Sequence, residues 1–283
     1  MGRIAVVTDS TADLPAPLRE ELGIATIPLS VLWGNETLKD GVDIDAETFY
    51  RRLKVDKELP KTSQPSAGEF VDFFRRVAGE QNADTVVGFF ISGALSGTIS
   101  SAEIARGLFA DLRIEVIDSL STSMGLGFQV LAAARAARQG ASVEEVIEAA
   151  QRVRYRQQVL FVVDTLEFLH RGGRIGGAQR LMGTALQLKP LLELEGGKIE
   201  AVEKVRTKRK AVERLLSIAL ERKGNAPVEG AAVIHADNAE EAWLLQEQAQ
   251  KLLGIDQVYV SILSPVLGTH TGPGTVGLTF HTR

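Results

Sequence analysis

The sequence contains no cysteine among its 283 residues. This absence excludes disulfide bonds, thiolate metal sites and cysteine nucleophiles, and it is compatible with a reducing compartment. The sequence also lacks an excess of basic residues, because 36 Asp and Glu residues outnumber 32 Lys and Arg residues and the formal net charge is −4. Nucleic-acid binding usually requires a strongly positive surface. We therefore expect no nucleic-acid partner.

Long hydrophobic runs are also missing, since no segment approaches the roughly 18 consecutive apolar residues of a membrane-spanning helix. The first apolar run, residues 4–7, is too short for the core of a signal peptide and ends at Thr8 and Asp9. The apolar fraction of 45% and the charged fraction of 24% are typical of a globular protein. We therefore expect a cytoplasmic protein with no stable membrane insertion.

In the first half of the chain, short β-rich runs alternate with segments of helical periodicity. The predicted strands are residues 4–8, 25–32, 85–91 and 114–117. The predicted helices are residues 14–22, 46–53, 70–77, 100–109, 124–138 and 143–155. This alternation is typical of an α/β fold whose sheet is mainly parallel.

The pattern changes near residue 157. Apolar residues 191–194 and 199–202 flank Gly196-Gly197, and two glycines that tolerate positive φ predict a tight hairpin. Further predicted helices, residues 211–222 and 240–253, lie among strands over residues 231–236, 258–263 and 276–280. We therefore predict two domains. They are an N-terminal, mainly parallel α/β domain over residues 1–157 and a C-terminal α/β domain with a mixed or antiparallel sheet over residues 158–283.

Thr62 and Ser63 are the first candidate binding residues. They precede Pro65, which favours an extended backbone, and a helix whose start is marked by a capping box of Ser66 and Glu69. The free N–H groups at the start of a helix favour an anion. The alternative interpretation is that both hydroxyls are ordinary turn residues.

Ser96 and Gly97 belong to a second candidate, the segment 92–98 that follows a predicted strand. Loops at the carboxyl ends of strands in open α/β sheets are where ligands tend to bind, and glycines allow backbone amides to approach an anion. The spacing and lysine of a nucleotide-binding P-loop are absent. A simple helix-capping turn is the alternative.

His270 is the third candidate, and it lies between two threonines in a glycine-rich segment that we predict to be a turn. The same segment contains a formal G-x-G-x-x-G pattern at Gly272, Gly274 and Gly277. That pattern must open a helix to bind a dinucleotide, whereas residues 275–280 are predicted to form a strand. A lone histidine is usually structural or exposed, so these patterns alone do not decide whether His270 contacts a ligand.

Metal-binding patterns are not found. Asp40, Asp43 and Asp45 resemble calcium-ligand spacing, but the glycine and terminal glutamate of an EF-hand loop are missing, and Asp45 is expected to cap a helix. The other histidines show no zinc-ligand spacing. We therefore expect no metal site.

Arg171 and Arg174 flank Gly172-Gly173 in a basic segment. This segment is either a solvated loop or a docking point for an acidic or phosphate-bearing partner.

Five short segments carry a resemblance when they are taken together. They are Thr8-Asp9-Ser10-Thr11-Ala12-Asp13-Leu14-Pro15, Thr62-Ser63-Gln64-Pro65, Leu95-Ser96-Gly97-Thr98, Gly172-Gly173-Arg174-Ile175 and His270-Thr271-Gly272-Pro273-Gly274. In this order and spacing, over roughly residues 3–280, the sequence resembles the DegV family of bacterial fatty-acid-binding proteins. Each segment alone is weak, but five in order make a chance match improbable.

The resemblance implies a two-domain α/β protein that encloses one long-chain fatty acid, such as palmitate, between its domains. It places the carboxylate near Thr62, Ser96 and His270, with Ser63 and Gly97 adjacent. It further implies a carrier without catalytic residues or a cofactor, since the family member is the binding subunit and not the enzyme.

Some members of the family present the bound carboxylate to a fatty-acid kinase, which converts it to an acyl phosphate. The resemblance therefore implies a fatty-acid kinase as a partner. It indicates Arg171, Arg174 and Arg206 as docking residues that lie outside the carboxylate cluster. The alternative from a different class is a hydrolase or phosphotransferase that uses Ser96 with His270 as its base.

Overall fold

A computed structural model describes residues 2–182 and 188–283. The strands of this part of the chain are β1 (Ile4–Asp9), β2 (Ala25–Ile27), β3 (Ser30–Trp33), β4 (Glu36–Lys39), β5 (Lys61–Ser63), β6 (Thr85–Phe90), β7 (Arg113–Asp118), β8 (Gln157–Val162), β9 (Lys189–Glu195), β10 (Lys198–Val205), β11 (Val228–His235), β12 (Val258–Ile262) and β13 (Val276–Thr282). The α-helices are α1 (Ala16–Leu22), α2 (Ala46–Leu53), α3 (Ala67–Gln81), α4 (Thr98–Arg106), α5 (Ser123–Arg138), α6 (Val143–Arg156), α7 (Glu167–Arg171), α8 (Lys208–Lys223), α9 (Ala239–Leu253) and α10 (Pro265–Thr271).

The first sheet is fully parallel, with the strand order β2-β1-β6-β7. Every residue of β6 is buried, as expected for a central strand covered on both faces. Helices α3 and α4 pack on one face through side chains such as Phe70 and Ala102, and α5 packs on the other face against Val87 and Phe89. The predicted parallel α/β arrangement of the first half is confirmed.

A small antiparallel sheet, with the order β4-β3-β5, was not predicted. Residues 25–32 were expected to form one strand, but the chain leaves the parallel sheet after Ile27. The next residue, Pro28, has no N–H to donate to a ladder, and Ser30 starts a new strand. Residues 61–63, expected to be part of a loop, pair as β5 with β3, and Thr62 lies opposite Val31.

The third sheet has six strands in the order β10-β9-β8-β13-β11-β12, and only β11 and β12 pair in parallel. The predicted mixed sheet of the second half is therefore confirmed. The predicted hairpin is also present, because β9 and β10 are joined by Gly196 and Gly197, whose φ angles are +55° and +81°. Strand β8 starts at Gln157, although the exact domain boundary stays a prediction.

The six-stranded sheet packs differently on its two faces. Leu160 and Val162 of β8 pack with α8 and α9, whereas the alternate residues Phe161 and Val163 face the opposite side. That side turns toward the N-terminal half, where the buried hydroxyl of Tyr50 donates to the carbonyl of Leu263 in the C-terminal half at 3.0 Å. Among residues 2–182 and 188–283, no helix combines the length and apolar character needed to cross a membrane.

Candidate functional site

An apolar cavity lies between the two larger sheets and leaves about 830 Å³ free of protein atoms, its mouth included. The apolar side chains that line it come from both halves of the chain and are Leu29, Ile91, Leu95, Val159, Phe161, Leu169, Leu194, Ile199, Ile234, Leu263, Val266 and Leu267. The polar residues that line it are Thr62, Ser63, Gln64, Ser96, Thr122, Ser123, Arg174, His270, Thr271 and Thr275.

Thr62 and His270 meet in this cavity although 208 positions separate them. The Thr62 Oγ1 atom lies 2.8 Å from the His270 Nε2 atom, within hydrogen-bond distance. Strand β5 holds Thr62 by pairing with β3, and α10 holds His270. The predicted turn at His270 was wrong, because Pro265 at the first helical position and the Ser264 side chain, which accepts from the Leu267 N–H, start a helix there.

The imidazole of His270 is uncharged at neutral pH. Burial, and then the nearby positive charge of Arg174, lower the pKa of His270 to about 4. Its Nδ1 atom is buried without a hydrogen-bond partner in the described part of the chain and lies against Gly172, where any Cβ would overlap the ring. An Nε2–H tautomer donates to Thr62 and leaves the hydroxyl hydrogen of Thr62 available for an anion.

Ser96 lines the same cavity from the loop between β6 and α4, whereas the next residue, Gly97, is not one of the lining residues. The loop is held by Ser92, whose carbonyl accepts from the Ser96 N–H at 3.1 Å and whose hydroxyl donates to the Gly197 carbonyl at 2.8 Å. The Ser96 hydroxyl lies 2.8 Å from the hydroxyl of Thr98. A Cβ at Gly97 would lie 3.0 Å from the Gln64 amide nitrogen, so this glycine permits a close approach of the two loops.

Arg174 was expected to lie apart from Thr62, Ser96 and His270, but it lines the same cavity as these residues, and its docking role stays a prediction. Its side chain lines the cavity, where Nε donates to the Leu95 carbonyl at 2.9 Å and Nη1 donates to the Gly172 carbonyl at 2.6 Å. No ion pair of Arg174 occurs within residues 2–182 and 188–283, so these bonds hold a positive charge beside His270. Gly172, in the same segment as Arg174, lies against the ring of His270.

The other two predicted docking arginines lie on the surface. Arg171 is 59% exposed and forms an ion pair with Glu167 at 2.6 Å. Arg206 is also exposed, between β10 and α8. Their docking role stays a prediction.

Some lining residues were missed in the sequence. Thr122 and Ser123 follow β7, and the polar run Ser119–Ser123 at the carboxyl end of a parallel strand was an available signal. Gln64 directly follows the candidate residues Thr62 and Ser63, but it was not predicted to line the site. Thr271, next to His270, also lines the cavity.

The polar wall of the cavity is close to the surface. Thr62, Arg174 and His270 also line a neighbouring pocket, whose other residues include Gly172 and the exposed Lys61. Within the described ranges, no group of acidic, histidine or cysteine side chains has the arrangement of a metal site. Hydroxyls, a neutral imidazole and a guanidinium at one wall of an apolar cavity are suited to a ligand with an anionic head and an apolar body.

The fold and this cavity define a class of α/β proteins with an apolar cavity between two sheets. The family model described as "Uncharacterised protein, DegV family" matches residues 3–283. The chain therefore belongs to the DegV family. A DegV domain-containing protein of Streptomyces coelicolor is 42% identical over 281 residues, which cover 99% of each chain.

Solved structures of relatives have the same fold. A DegV family protein from Thermus thermophilus, described by its fatty-acid binding, is 37% identical, with a TM-score of 0.93 over 99% of this chain and 100% of that one. DegV from Bacillus subtilis, described as a fatty-acid-binding protein, is 35% identical, with a TM-score of 0.91 over 100% of both chains. A stearic-acid-binding protein from Eubacterium ventriosum is 27% identical, with a TM-score of 0.89 over 99% and 98% of the two chains.

Proposed function

We propose that this protein binds one long-chain fatty acid and holds its carboxylate at Thr62, Ser63, Ser96, Gly97 and His270. The observation that carries this proposal is the contact of Thr62 with His270 at the wall of an apolar cavity. Arg174 adds a positive charge to the same wall. Relatives whose descriptions state fatty-acid binding support the ligand class.

The acyl chain extends in this proposal between residues 1–157 and residues 158–283. The lining supports this, because Ile91 comes from the first half and Phe161, Ile199 and Ile234 come from the second. Each buried methylene contributes roughly 0.8 kcal/mol, so a long chain gains on the order of 10 kcal/mol before association entropy is subtracted. The bound lipid is therefore retained through purification.

Presentation of the carboxylate to a fatty-acid kinase is the second part of the proposal. Two of the proposed carboxylate residues, Thr62 and His270, also line the neighbouring pocket, so this pocket lies next to the proposed head group. Exposed Lys61 and Arg171 border that pocket and supply positive charge for an acidic partner surface.

A hydrolase or phosphotransferase that uses Ser96 and His270 has weaker support. The imidazole is hydrogen-bonded to Thr62, and the Ser96 hydroxyl is hydrogen-bonded to Thr98. A histidine with a pKa of about 4 is also a weak general base at neutral pH. A carrier that retains one lipid without turnover accounts for the same residues.

The test compares wild-type protein with Thr62→Val and Ser96→Ala. Native mass spectrometry followed by denaturing lipid analysis should show one copurifying long-chain fatty acid on the wild type. Each substitution removes a hydrogen-bond donor to the charged carboxylate. The affinity for the fatty acid, measured by lipid displacement, should therefore fall roughly tenfold to a hundredfold.

Thr37→Val is the matched control, because Thr37 is an exposed threonine on β4, another strand of the small sheet. It should leave lipid binding unchanged. If neither Thr62→Val nor Ser96→Ala weakens binding, the assignment of the head-group position is wrong. Absence of any lipid and turnover of an ester or acyl phosphate by the isolated protein would instead support the enzyme.

A further inference from the structure

A second groove, separate from the apolar cavity, runs between α5 and α6 on one side and the ends of β11 and β13 on the other. It is open to solvent and leaves about 1850 Å³ free of protein atoms. Arg135 on α5, and Arg152 and Arg156 on α6, all line it. Arg152 and Arg156 are four positions apart, so both project from the same face of their helix.

These three arginines are unpaired in the part of the chain that the structure describes. Within residues 2–182 and 188–283, none of them forms a hydrogen bond or an ion pair, whereas Arg138 on α5 pairs with Glu21. Two carboxylates also line the groove, and one of them, Glu229, is paired with Arg283 at 3.1 Å. The other carboxylate is that of Asp256. The groove is thus lined by two carboxylates and by four guanidinium groups, those of Arg135, Arg152, Arg156 and Arg283. The groove therefore carries excess positive charge in a protein whose net charge is −4.

The floor of the groove is aromatic. The ring of Phe128 contacts Tyr259 and His281, with ring centroids 6.3 and 5.1 Å apart. His281 on β13 contacts Phe128 of α5, so the aromatic side chains join the two sides of the groove. Burial is the main cause of the lowered pKa of His281, and the charge of Arg135 lowers it further.

We propose that this groove binds a small, soluble phosphomonoester. A dianionic phosphate balances the excess positive charge, and guanidinium groups bind phosphate oxygens through paired N–H donors. The aromatic floor accommodates the carbon skeleton of the ester. Because the groove shares no lining residue with the fatty-acid cavity, this binding is independent of the proposed function.

The experiment is isothermal titration calorimetry with glycerol 3-phosphate at constant ionic strength. Wild-type protein should bind it, and Arg135→Ala and Arg152→Ala should each weaken binding by about tenfold or more. Arg138→Ala, on the same helix but pointing to Glu21, should bind like the wild type. Arg152→Lys keeps the charge but loses the planar guanidinium group. Its affinity for glycerol 3-phosphate should lie between those of the wild type and Arg152→Ala.

Melting temperature and copurified lipid should stay unchanged in all four variants, which separates this proposal from the fatty-acid site. The proposal is overturned if wild-type protein does not bind glycerol 3-phosphate, or if Arg138→Ala weakens binding as much as Arg135→Ala does. It is also overturned if the protein binds phosphatidylcholine vesicles that contain phosphatidate but not the soluble ester, because the ligand is then a membrane surface.

Discussion

The guanidinium of Arg174 lies beside the proposed carboxylate, whereas that of Arg171, three residues earlier, lies on the surface. Arg174 is fixed by two backbone carbonyls, and its charge favours an anionic ligand in the cavity. Arg171 contributes only an exposed ion pair, and such pairs add little to stability. Two neighbouring arginines of similar appearance in the sequence therefore have different expected roles.

The substitutions Arg174→Met and Arg171→Met separate these roles. We expect Arg174→Met to weaken fatty-acid binding about tenfold or more, because it removes a charge close to the carboxylate. Arg171→Met should retain lipid and melting temperature but slow acyl-phosphate formation by a fatty-acid kinase, with the larger effect at low salt. Lipid displacement and kinase assays measure both. Loss of lipid from Arg171→Met would place that residue in the ligand site.

His270 gives the stability of the protein a pH dependence of known sign. Its pKa falls from an ordinary 6.5 to about 4 in the folded protein, mainly through burial and secondarily through the charge of Arg174. Between these pH values the unfolded chain binds a proton that the folded chain does not. Stability from this group is therefore complete above pH 6.5 and is lost as the pH falls toward 4, by about 3 kcal/mol in total.

His270→Gln in delipidated protein tests this dependence. Urea titrations at pH 4.5, 5.5 and 7 give the free energy of unfolding of each protein. The value for the wild type minus the value for the variant should become smaller as the pH is lowered from 7 to 4.5. His235 and His281, whose pKa values are also lowered by burial, are present in both proteins and cancel. A difference that is constant with pH would mean that His270 is not buried as described.

At the scale of elements, the β9–β10 hairpin supports the Ser96 loop from the other half of the molecule. Its tip residue Gly197 accepts from the hydroxyl of Ser92, the residue that also anchors the Ser96 N–H. Gly196 and Gly197 both have positive φ, but a Cβ at Gly196 would meet nothing, whereas one at Gly197 would overlap the Ser92 hydroxyl. The hairpin is thus a structural part of the candidate site.

The pair Gly196→Ala and Gly197→Ala tests this support. Gly196→Ala should cost about 1 kcal/mol through its positive φ alone. Gly197→Ala should cost about 1–3 kcal/mol more because of the overlap, and it should also weaken lipid binding by displacing the Ser96 loop. Urea denaturation and lipid displacement measure the two effects. Equal stability and equal lipid binding in the two variants would show that the hairpin does not support the loop.

At the scale of the whole molecule, the cavity is lined from both halves, so a lipid bound as proposed would contact both of them. Polar contacts at Asp13 also join them, because its carbonyl accepts from the Ser261 hydroxyl at 2.6 Å and its carboxylate accepts from the Ser264 N–H at 3.1 Å. Ser264 caps the helix that carries His270. The position of His270, one of the proposed head-group residues, is therefore coupled to the packing of the two halves.

Removal of the lipid should lower the melting temperature of the wild-type protein. A ligand at a hundred times its Kd stabilises the folded state by about 2.7 kcal/mol, which corresponds to a shift of roughly 4–5 °C in the melting temperature of a chain of this size. Differential scanning calorimetry before and after delipidation measures the shift. Thr62→Val, with its weaker binding, should show a smaller shift. An equal shift in both proteins would contradict a carboxylate held by Thr62.

Most of the architecture was accessible from the sequence, because hydrophobic periodicity and turn chemistry are local. The capping box of Ser66 and Glu69, the cap at Asp45 and the hairpin at Gly196-Gly197 all lie where they were predicted. The split of residues 25–32 and strand β5 were not predicted, since three-residue strands have too few side chains to show a period.

The α/β class, the change to a mixed sheet after residue 157 and the polar segments at the carboxyl ends of strands all follow from local patterns in the sequence. The tertiary structure decided which of those segments meet. Thr62 and His270 are 208 positions apart, so their contact depends on how β5 and α10 pack and not on any local pattern. It also decided that Arg174 points inward and Arg171 outward, because that depends on which carbonyls lie within reach of each guanidinium after folding.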